Sequence, residues 1–215
     1  MSVLYVSSSP RGPHSESGRV AEALLAALTE TAPSVRVDRM DLFADPLPAF
    51  AADATEAKMA VIGGTTPAGA AADAWAAVRR TVERVRAADT LLFTVPMWNG
   101  SIPWPLKLFI DTVTQPGLAF GFDPASGYSG LLAPRRAITV YTSQVYEPGV
   151  DARFGVDHQS TYFESWLRLV GLTHAGSIRL QTTYAGRPDL PEARAAALAE
   201  ARRLGADLGR SATAA

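Results

Sequence analysis

The chain predicts an α/β fold, a parallel β-sheet with helices packed on both faces. Short β-branched runs alternate with long Ala-rich helical stretches along all 215 residues. The first run, Val3-Leu4-Tyr5-Val6, is apolar without alternation, as expected of a strand covered on both sides. Five such strand-like runs are separated by helix-like sequence, a pattern that builds a parallel sheet through right-handed crossovers.

Ser2–Ser7 is the first strand, and the stretch from Ser15 to Thr31 is the first helix, with Val20, Leu24, Leu25 and Leu28 sharing one face. Ser34–Met40 (SVRVDRM) alternates, as in a strand near a sheet edge. Asp45-Pro46-Leu47-Pro48 then breaks the chain. Two helical stretches follow, divided by Gly63-Gly64-Thr65-Thr66-Pro67, the second covering Ala70–Ala88. Thr90–Val95 (TLLFTV) is the third strand, stopped by Pro96, and Pro105–Thr114 is a helix ended by Gln115-Pro116-Gly117. Leu118–Pro134 reads as an irregular segment carrying Phe120, Phe122 and Tyr128. Arg136–Thr142 (RAITVYT) is the fourth strand, His158–Val170 a helix closed by Gly171, and Ser177–Thr183 the fifth strand. Leu190–Leu208 is the last helix, with Pro191 in its first turn. Residues 1–210 are expected to form a single domain and Ser211–Ala215 a disordered tail.

Composition narrows the function classes. The chain is 47% hydrophobic and 19% charged, has a formal net charge of −1, and contains no cysteine. Disulfide scaffolds, thiolate metal sites and thiol nucleophiles are therefore excluded. Acids and bases are mixed along the chain, which argues against nucleic acid as a partner, because phosphate-backbone affinity needs a basic surface. No stretch of about 18 apolar residues is present to span a membrane. Nothing near Met1 reads as a signal peptide, so the expected location is the cytoplasm.

Open parallel sheets bind ligands outside the carboxyl ends of their strands. Function is thus expected at Ser8–Ser17, Pro96–Ser101 and Ser143–Gly149. In the first of these loops, Ser9, Ser15 and Ser17 surround the start of a helix, whose unpaired N–H groups and dipole favour a phosphate-sized anion. Arg11 can add charge from the rim. The loop holds neither G-x-x-x-x-G-K-[ST] nor G-x-G-x-x-G, which removes a magnesium-dependent nucleotide hydrolase and a Rossmann dinucleotide site. The second loop, Pro96-Met97-Trp98-Asn99-Gly100-Ser101-Ile102-Pro103-Trp104-Pro105, combines aromatic faces with an amide and free backbone N–H groups. A flat heteroaromatic ligand needs that mixture. Trp104, which precedes a helix, is expected to fill the core.

Taken together, the loops resemble the FMN-dependent NADH-azoreductase and NAD(P)H:quinone oxidoreductase family. The carrying residues are Ser8-Ser9-Pro10-Arg11 with Ser15-Glu16-Ser17, then Pro96–Pro103, Leu106-Lys107, Ile110-Asp111 and Gly117–Phe120. The likeness continues through Arg136-Ala137, Tyr141-Thr142-Ser143, Tyr162-Phe163 and Leu169–Leu172. It implies a flavodoxin-like fold with sheet order 2-1-3-4-5, FMN as cofactor, NAD(P)H as diffusible donor, and a homodimer. It also implies ping-pong electron transfer to quinones or aromatic azo compounds. On this resemblance Ser9, Ser15, Glu16 and Ser17 belong to the phosphate loop, and Met97, Trp98, Asn99 and Gly100 to the loop around the flavin ring. Ser143, Gln144, Val145 and Tyr146 stand where the family's third flavin-contacting loop lies, and Phe122 where an aromatic approaches the flavin.

Two departures stand out. The best-known members of the family carry Gln where this chain has Glu16, and a carboxylate repels a phosphate, so the Glu16 side chain is expected to turn away while its amide binds. The third loop usually reads Ser, one residue, then two glycines, whereas Ser143-Gln144-Val145-Tyr146-Glu147-Pro148-Gly149 lacks that pair. Phe120, Phe122, Tyr128 and Tyr146 are candidates for an apolar lid on the acceptor side. No side chain is required as a nucleophile in such chemistry, so no catalytic residue is assigned.

Two other classes compete. A serine hydrolase lacks its G-x-S-x-G elbow, and the three histidines, His14, His158 and His174, show no metal-ligand spacing. A flavin-binding electron-transfer protein or pathway-specific reductase without general azoreductase activity is the alternative. The near-neutral charge favours an enzyme with a diffusible donor over a protein-to-protein carrier.

Overall fold

The computed structural model describes residues 1–45 and 47–213. Five strands form one parallel sheet: β1 (Ser2–Ser7), β2 (Arg36–Asp41), β3 (Thr90–Pro96), β6 (Arg136–Thr142) and β7 (Thr173–Leu180). Their order across the sheet is β2-β1-β3-β6-β7. Counted over the sheet strands alone this corresponds to the expected 2-1-3-4-5, and only the labels of the last two strands differ. A two-stranded antiparallel hairpin, β4 (Phe120–Asp123) and β5 (Gly127–Gly130), interrupts the chain between the third and fourth sheet strands. The hairpin lies in the segment expected to be irregular.

The strands alternate their inward residues between two cores, as a two-sided sheet must. Val3 and Tyr5 of β1 face one side with Leu92, Ile138 and Val140, while Leu4 and Val6 face the other with Leu91, Phe93 and Val95. The first side is covered by α1 (Glu16–Thr31) and α6 (Leu190–Thr213). The second is covered by α3 (Gly69–Ala87), α4 (Trp104–Val113) and α5 (Ser160–Val170). There Phe93 meets the edges of Phe163 at 5.1 Å and Phe109 at 5.9 Å. A further helix, α2 (Ala52–Ile62), packs on α3 through Ala54, Val78 and Val82.

β7 begins at Thr173, four residues ahead of the expected Ser177. Its Thr173-His174-Ala175-Gly176 start is mostly exposed at the sheet edge, where ladder hydrogen bonds rather than apolar burial hold a strand. α6 runs on to Thr213, beyond the expected end at Leu208, so Ser211–Thr213 are helical rather than a loose tail. Ala212 rests against the core, and the Thr213 hydroxyl donates to the Gly209 carbonyl at 3.2 Å. Ala214 and Ala215 of the expected tail, and Pro46 of the expected break, lie outside the described residues. Among the described residues no helix is long and apolar enough to cross a membrane.

α1 and α6 lie side by side and run in the same direction, because Arg194 meets Glu16 at one end and Gly209 meets Thr31 at the other. Gly205 makes this approach possible: a Cβ there would stand 2.2 Å from the Leu24 carbonyl oxygen. Gly205→Val is expected to force the helices apart and to lower stability by about 1–3 kcal/mol, the usual cost of overpacking. A urea titration checks this as a lower midpoint with unchanged slope.

Candidate active site

Side-chain and backbone hydrogen bonds stitch the carboxyl ends of the sheet strands together. The Ser8 amide donates to Thr94 Oγ1 at 3.0 Å, and Ser8 Oγ donates to the Thr94 carbonyl at 2.5 Å, tying β1 to β3. The Met97 amide donates to the Thr142 carbonyl at 2.7 Å, tying the loop after β3 to the end of β6. Beneath them Gln159, fully buried, donates from Nε2 to Val95 O at 2.5 Å and to Thr142 O at 3.2 Å.

From Ser8 the chain turns through Ser9 and a short 3₁₀ turn, Gly12–His14, into α1. Ser15 is the N-cap, with extended backbone (φ −75°, ψ 121°), and its hydroxyl accepts from the Gly18 amide at 3.0 Å. Its hydroxyl also lies 3.2 Å from that of Ser17. Ser9, Ser15 and Ser17 are all buried. The Glu16 and Ser17 amides belong to the first helical turn, which has no intrahelical acceptors to offer them. Oε1 of Glu16 accepts from Arg194 Nη2 at 2.5 Å and from Arg19 Nη2 at 2.9 Å. Two guanidinium groups thus neutralise the carboxylate in this turn.

The loop after β3 is a tight turn. Trp98 and Ser101 exchange two backbone hydrogen bonds at 2.8 and 2.9 Å, with Asn99 (φ 50°) and Gly100 (φ 80°) between them. Positive φ at both central residues is the signature of a type I′ turn, for which Asn-Gly is the preferred pair. Trp98 is half-buried, its ring 5.9 Å from that of Phe43 in the loop after β2. Trp104 is 63% exposed and leans edge-on against the same Phe43 at 6.2 Å. The expectation that Trp104 fills the core is thereby corrected: it occupies the first position of α4 and faces outward.

The loops after β6 and β7 are joined as well. The Ser143 carbonyl accepts from the Thr183 amide at 2.9 Å and from its hydroxyl at 3.0 Å, and the Gln144 carbonyl accepts from the Tyr184 amide at 3.1 Å. The Ser143 hydroxyl donates to the Tyr146 carbonyl, closing a small turn.

Between these loops lies a cleft of about 260 Å³, lined by Ser9, Pro10, Arg11, Ser15, Glu16 and Ser17 from the first loop and by Pro96, Met97 and Trp98 from the second. Thr142, Ser143, Gln144 and Thr183 complete it. Of the residues singled out from sequence, Ser9, Ser15, Glu16, Ser17, Met97, Trp98, Ser143 and Gln144 are brought together here. Asn99 and Gly100 shape the second loop without lining the cleft. Val145 is exposed, and Tyr146 turns toward Gly155, where desolvation raises its phenol pKa. Neither lines the cleft. Phe122 and Tyr128 are 62% and 64% exposed on the hairpin, also outside the cleft. Thr142 was part of the family likeness but was assigned no role, and Thr183, Gln159 and Arg194 were not singled out from sequence, since no local motif marks them.

A wider cavity of about 420 Å³ lies against the other side of the first loop, between α1 and β2. Its charged groups already have partners: Arg39 makes a two-pronged pair with Glu22 at 2.5 and 2.9 Å, Arg19 pairs with Glu16, and Asp41 accepts from the Phe43 and Ala44 amides. The smaller cleft, at the ends of three strands and with uncommitted helix amides, is the better place for a ligand. Among the described residues no group of His, Asp or Glu side chains is arranged to hold a metal ion.

A doubly wound parallel sheet, with a hydroxyl-rich helix N-terminus and an aromatic turn meeting at its switch point, defines a flavodoxin-like protein. Residues 1–204 match the family described as flavodoxin-like fold. The chain is 46% identical over 179 residues to the FMN-dependent NADH:quinone oxidoreductase of Ruegeria pomeroyi, covering 83% of this chain and 88% of that one. To the protein of the same name from Nitratidesulfovibrio vulgaris it is 41% identical over 204 residues, covering 94% and 97% of the two chains. The crystal structure of an azoreductase from Bacillus anthracis superposes with a TM-score of 0.87 at 23% identity, over 96% of this chain and 99% of that one, a likeness of fold. The chain belongs to the flavodoxin-like family that includes the FMN-dependent NADH:quinone oxidoreductases.

The stitching beneath the cleft has a testable cost. Gln159→Leu leaves the Val95 carbonyl without its buried donor, and is expected to destabilise the fold by about 1–3 kcal/mol. A thermal melt reads this as a loss of about 2–4 °C per kcal/mol in a chain of this size.

Proposed function

We propose that this chain binds FMN in the cleft and catalyses electron transfer from NAD(P)H to quinones and aromatic azo compounds. The observation that carries the reading is the meeting of a serine-lined helix N-terminus with the Trp98 turn, in a chain 46% identical to a Ruegeria pomeroyi protein named FMN-dependent NADH:quinone oxidoreductase. FMN, when bound, supplies two-electron redox chemistry. Everything else is binding, orientation and electrostatics supplied by the chain.

The donor set fits a flavin mononucleotide. Neutral amides of Glu16 and Ser17, with the hydroxyls of Ser9, Ser15 and Ser17, suit a phosphate held without a metal. Met97 and Trp98 offer apolar surface for a tricyclic ring, and the Asn99-Gly100 turn presents the backbone at its edge. Ser143 and Gln144 border the same ring from the loop after β6. Val145 and Tyr146, although in the same loop, are left for the acceptor side. The role of the protein toward the reacting ring is to place hydrogen-bond donors where negative charge develops and to exclude water from one face.

A volume of about 260 Å³ is at the small end for a cofactor site, so one chain encloses the phosphate and ribityl end better than the ring. Phe122 and Tyr128 form an exposed aromatic pair, their rings 5.0 Å apart. We propose that a second copy of the chain covers this hairpin and completes the acceptor side, so that the working unit is a homodimer. A single domain and a cytoplasmic location, where NAD(P)H is available, complete the reading.

Anaerobic addition of NADH to FMN-loaded protein is expected to bleach the yellow flavin band, and menadione to restore it. Parallel lines in double-reciprocal plots of NADH against menadione would follow from alternating occupancy of one site. Absence of bleaching contradicts the reading, and bleaching without turnover on any quinone or azo dye identifies a carrier or dedicated reductase instead. Ser17→Ala is expected to weaken FMN binding by about tenfold, the loss of one hydrogen bond to a charged group, measured by quenching of flavin fluorescence.

A further inference from the structure

The residue that departs most sharply from a phosphate site is Glu16. It sits in the first turn of α1, beside the amides and hydroxyls assigned above to the FMN phosphate, and its side chain is only 11% exposed. A carboxylate held there with nothing opposite it would repel a phosphate. What stands opposite it is Arg194, from the other end of the chain, whose Nη2 and Nε donate to the same Oε1 at 2.5 and 3.1 Å. Arg19 reaches that oxygen too, at 2.9 Å, but from a more exposed position on α1 itself.

Arg194 is delivered by helix packing. α6 lies parallel to α1 with their amino ends level, at a spacing that Gly205 and Gly209 permit and larger residues would not.

We propose that Arg194 is a positioning residue for cofactor phosphate binding: it holds the Glu16 carboxylate toward α6, so that an acidic residue can occupy the phosphate turn. The inference rests on the FMN reading above. It assigns the C-terminal helix a part in the site, although Arg194 does not line the cleft.

The test is the FMN dissociation constant, read by flavin fluorescence quenching at fixed ionic strength, for Arg194→Leu in two backgrounds, wild type and Glu16→Gln. With Glu16 present, R194L is expected to weaken FMN binding by about tenfold, typical of a coupled charge pair. With Gln at position 16, the same substitution is expected to change affinity by less than about twofold, because no carboxylate remains to be held. Unchanged affinity of R194L in the wild-type background overturns the proposal. Equal losses in both backgrounds overturn it too, since Arg194 would then act only by holding α6 in place. If R194L lacks a cooperative thermal transition, Arg194→Gln gives the same comparison with a smaller change of shape. Failure of the wild-type protein to bind FMN at all is a distinct result, and it removes the cofactor reading on which this one stands.

Discussion

The first-turn amides of α1 cannot pair within their own helix, and the fold brings them to the place where β1, β3 and β6 end. That single constraint organises the candidate site. The helix start is held there by the Ser8–Thr94 stitch on one side and by the packing of α6 on the other. Its donors are left facing a cleft, together with three buried serine hydroxyls, and the N-cap acceptor, Ser15 Oγ, is already used by the Gly18 amide. An anion is the partner that such a set of donors lacks.

The remaining loops adapt to that anchor. The Asn99-Gly100 turn carries Trp98 to the cleft wall and steadies it on Phe43, while hydrogen bonds from Thr183 and Tyr184 brace the Ser143-Gln144 backbone. The loops after β6 and β7, 40 residues apart in sequence, therefore share one rim. This bracing holds the loop after β6, which has no glycine pair of its own. It leaves Ser143 and Gln144 at the cleft while turning Val145 and Tyr146 outward.

Much of this was legible in the sequence, for physical reasons. Strands buried on both faces must be apolar throughout, so β1, β3 and β6 announce themselves, and the strand-end rule then points to the loops after them. The serine cap and the Asn-Gly turn are local devices, encoded within a few residues. What escaped was encoded elsewhere. The β4–β5 hairpin has strands of four residues with little buried surface, and so no periodicity to detect. The polar start of β7 is held by ladder hydrogen bonds at an edge. Trp104 looked like core because it is large, yet its place at the first position of α4 turns it to solvent. Arg194 is 178 residues from Glu16, and only the parallel packing of two helices makes them neighbours.

The most direct measurement of the central claim compares FMN with riboflavin, which has the same ring and ribityl chain but no phosphate. Side-by-side titrations followed by fluorescence should show FMN bound at least about a hundredfold more tightly, given two or more hydrogen bonds to a charged group at about 1.5 kcal/mol each. Equal affinities for the two flavins would mean that the serine-lined amino end of α1 holds nothing, and would contradict the account at its base.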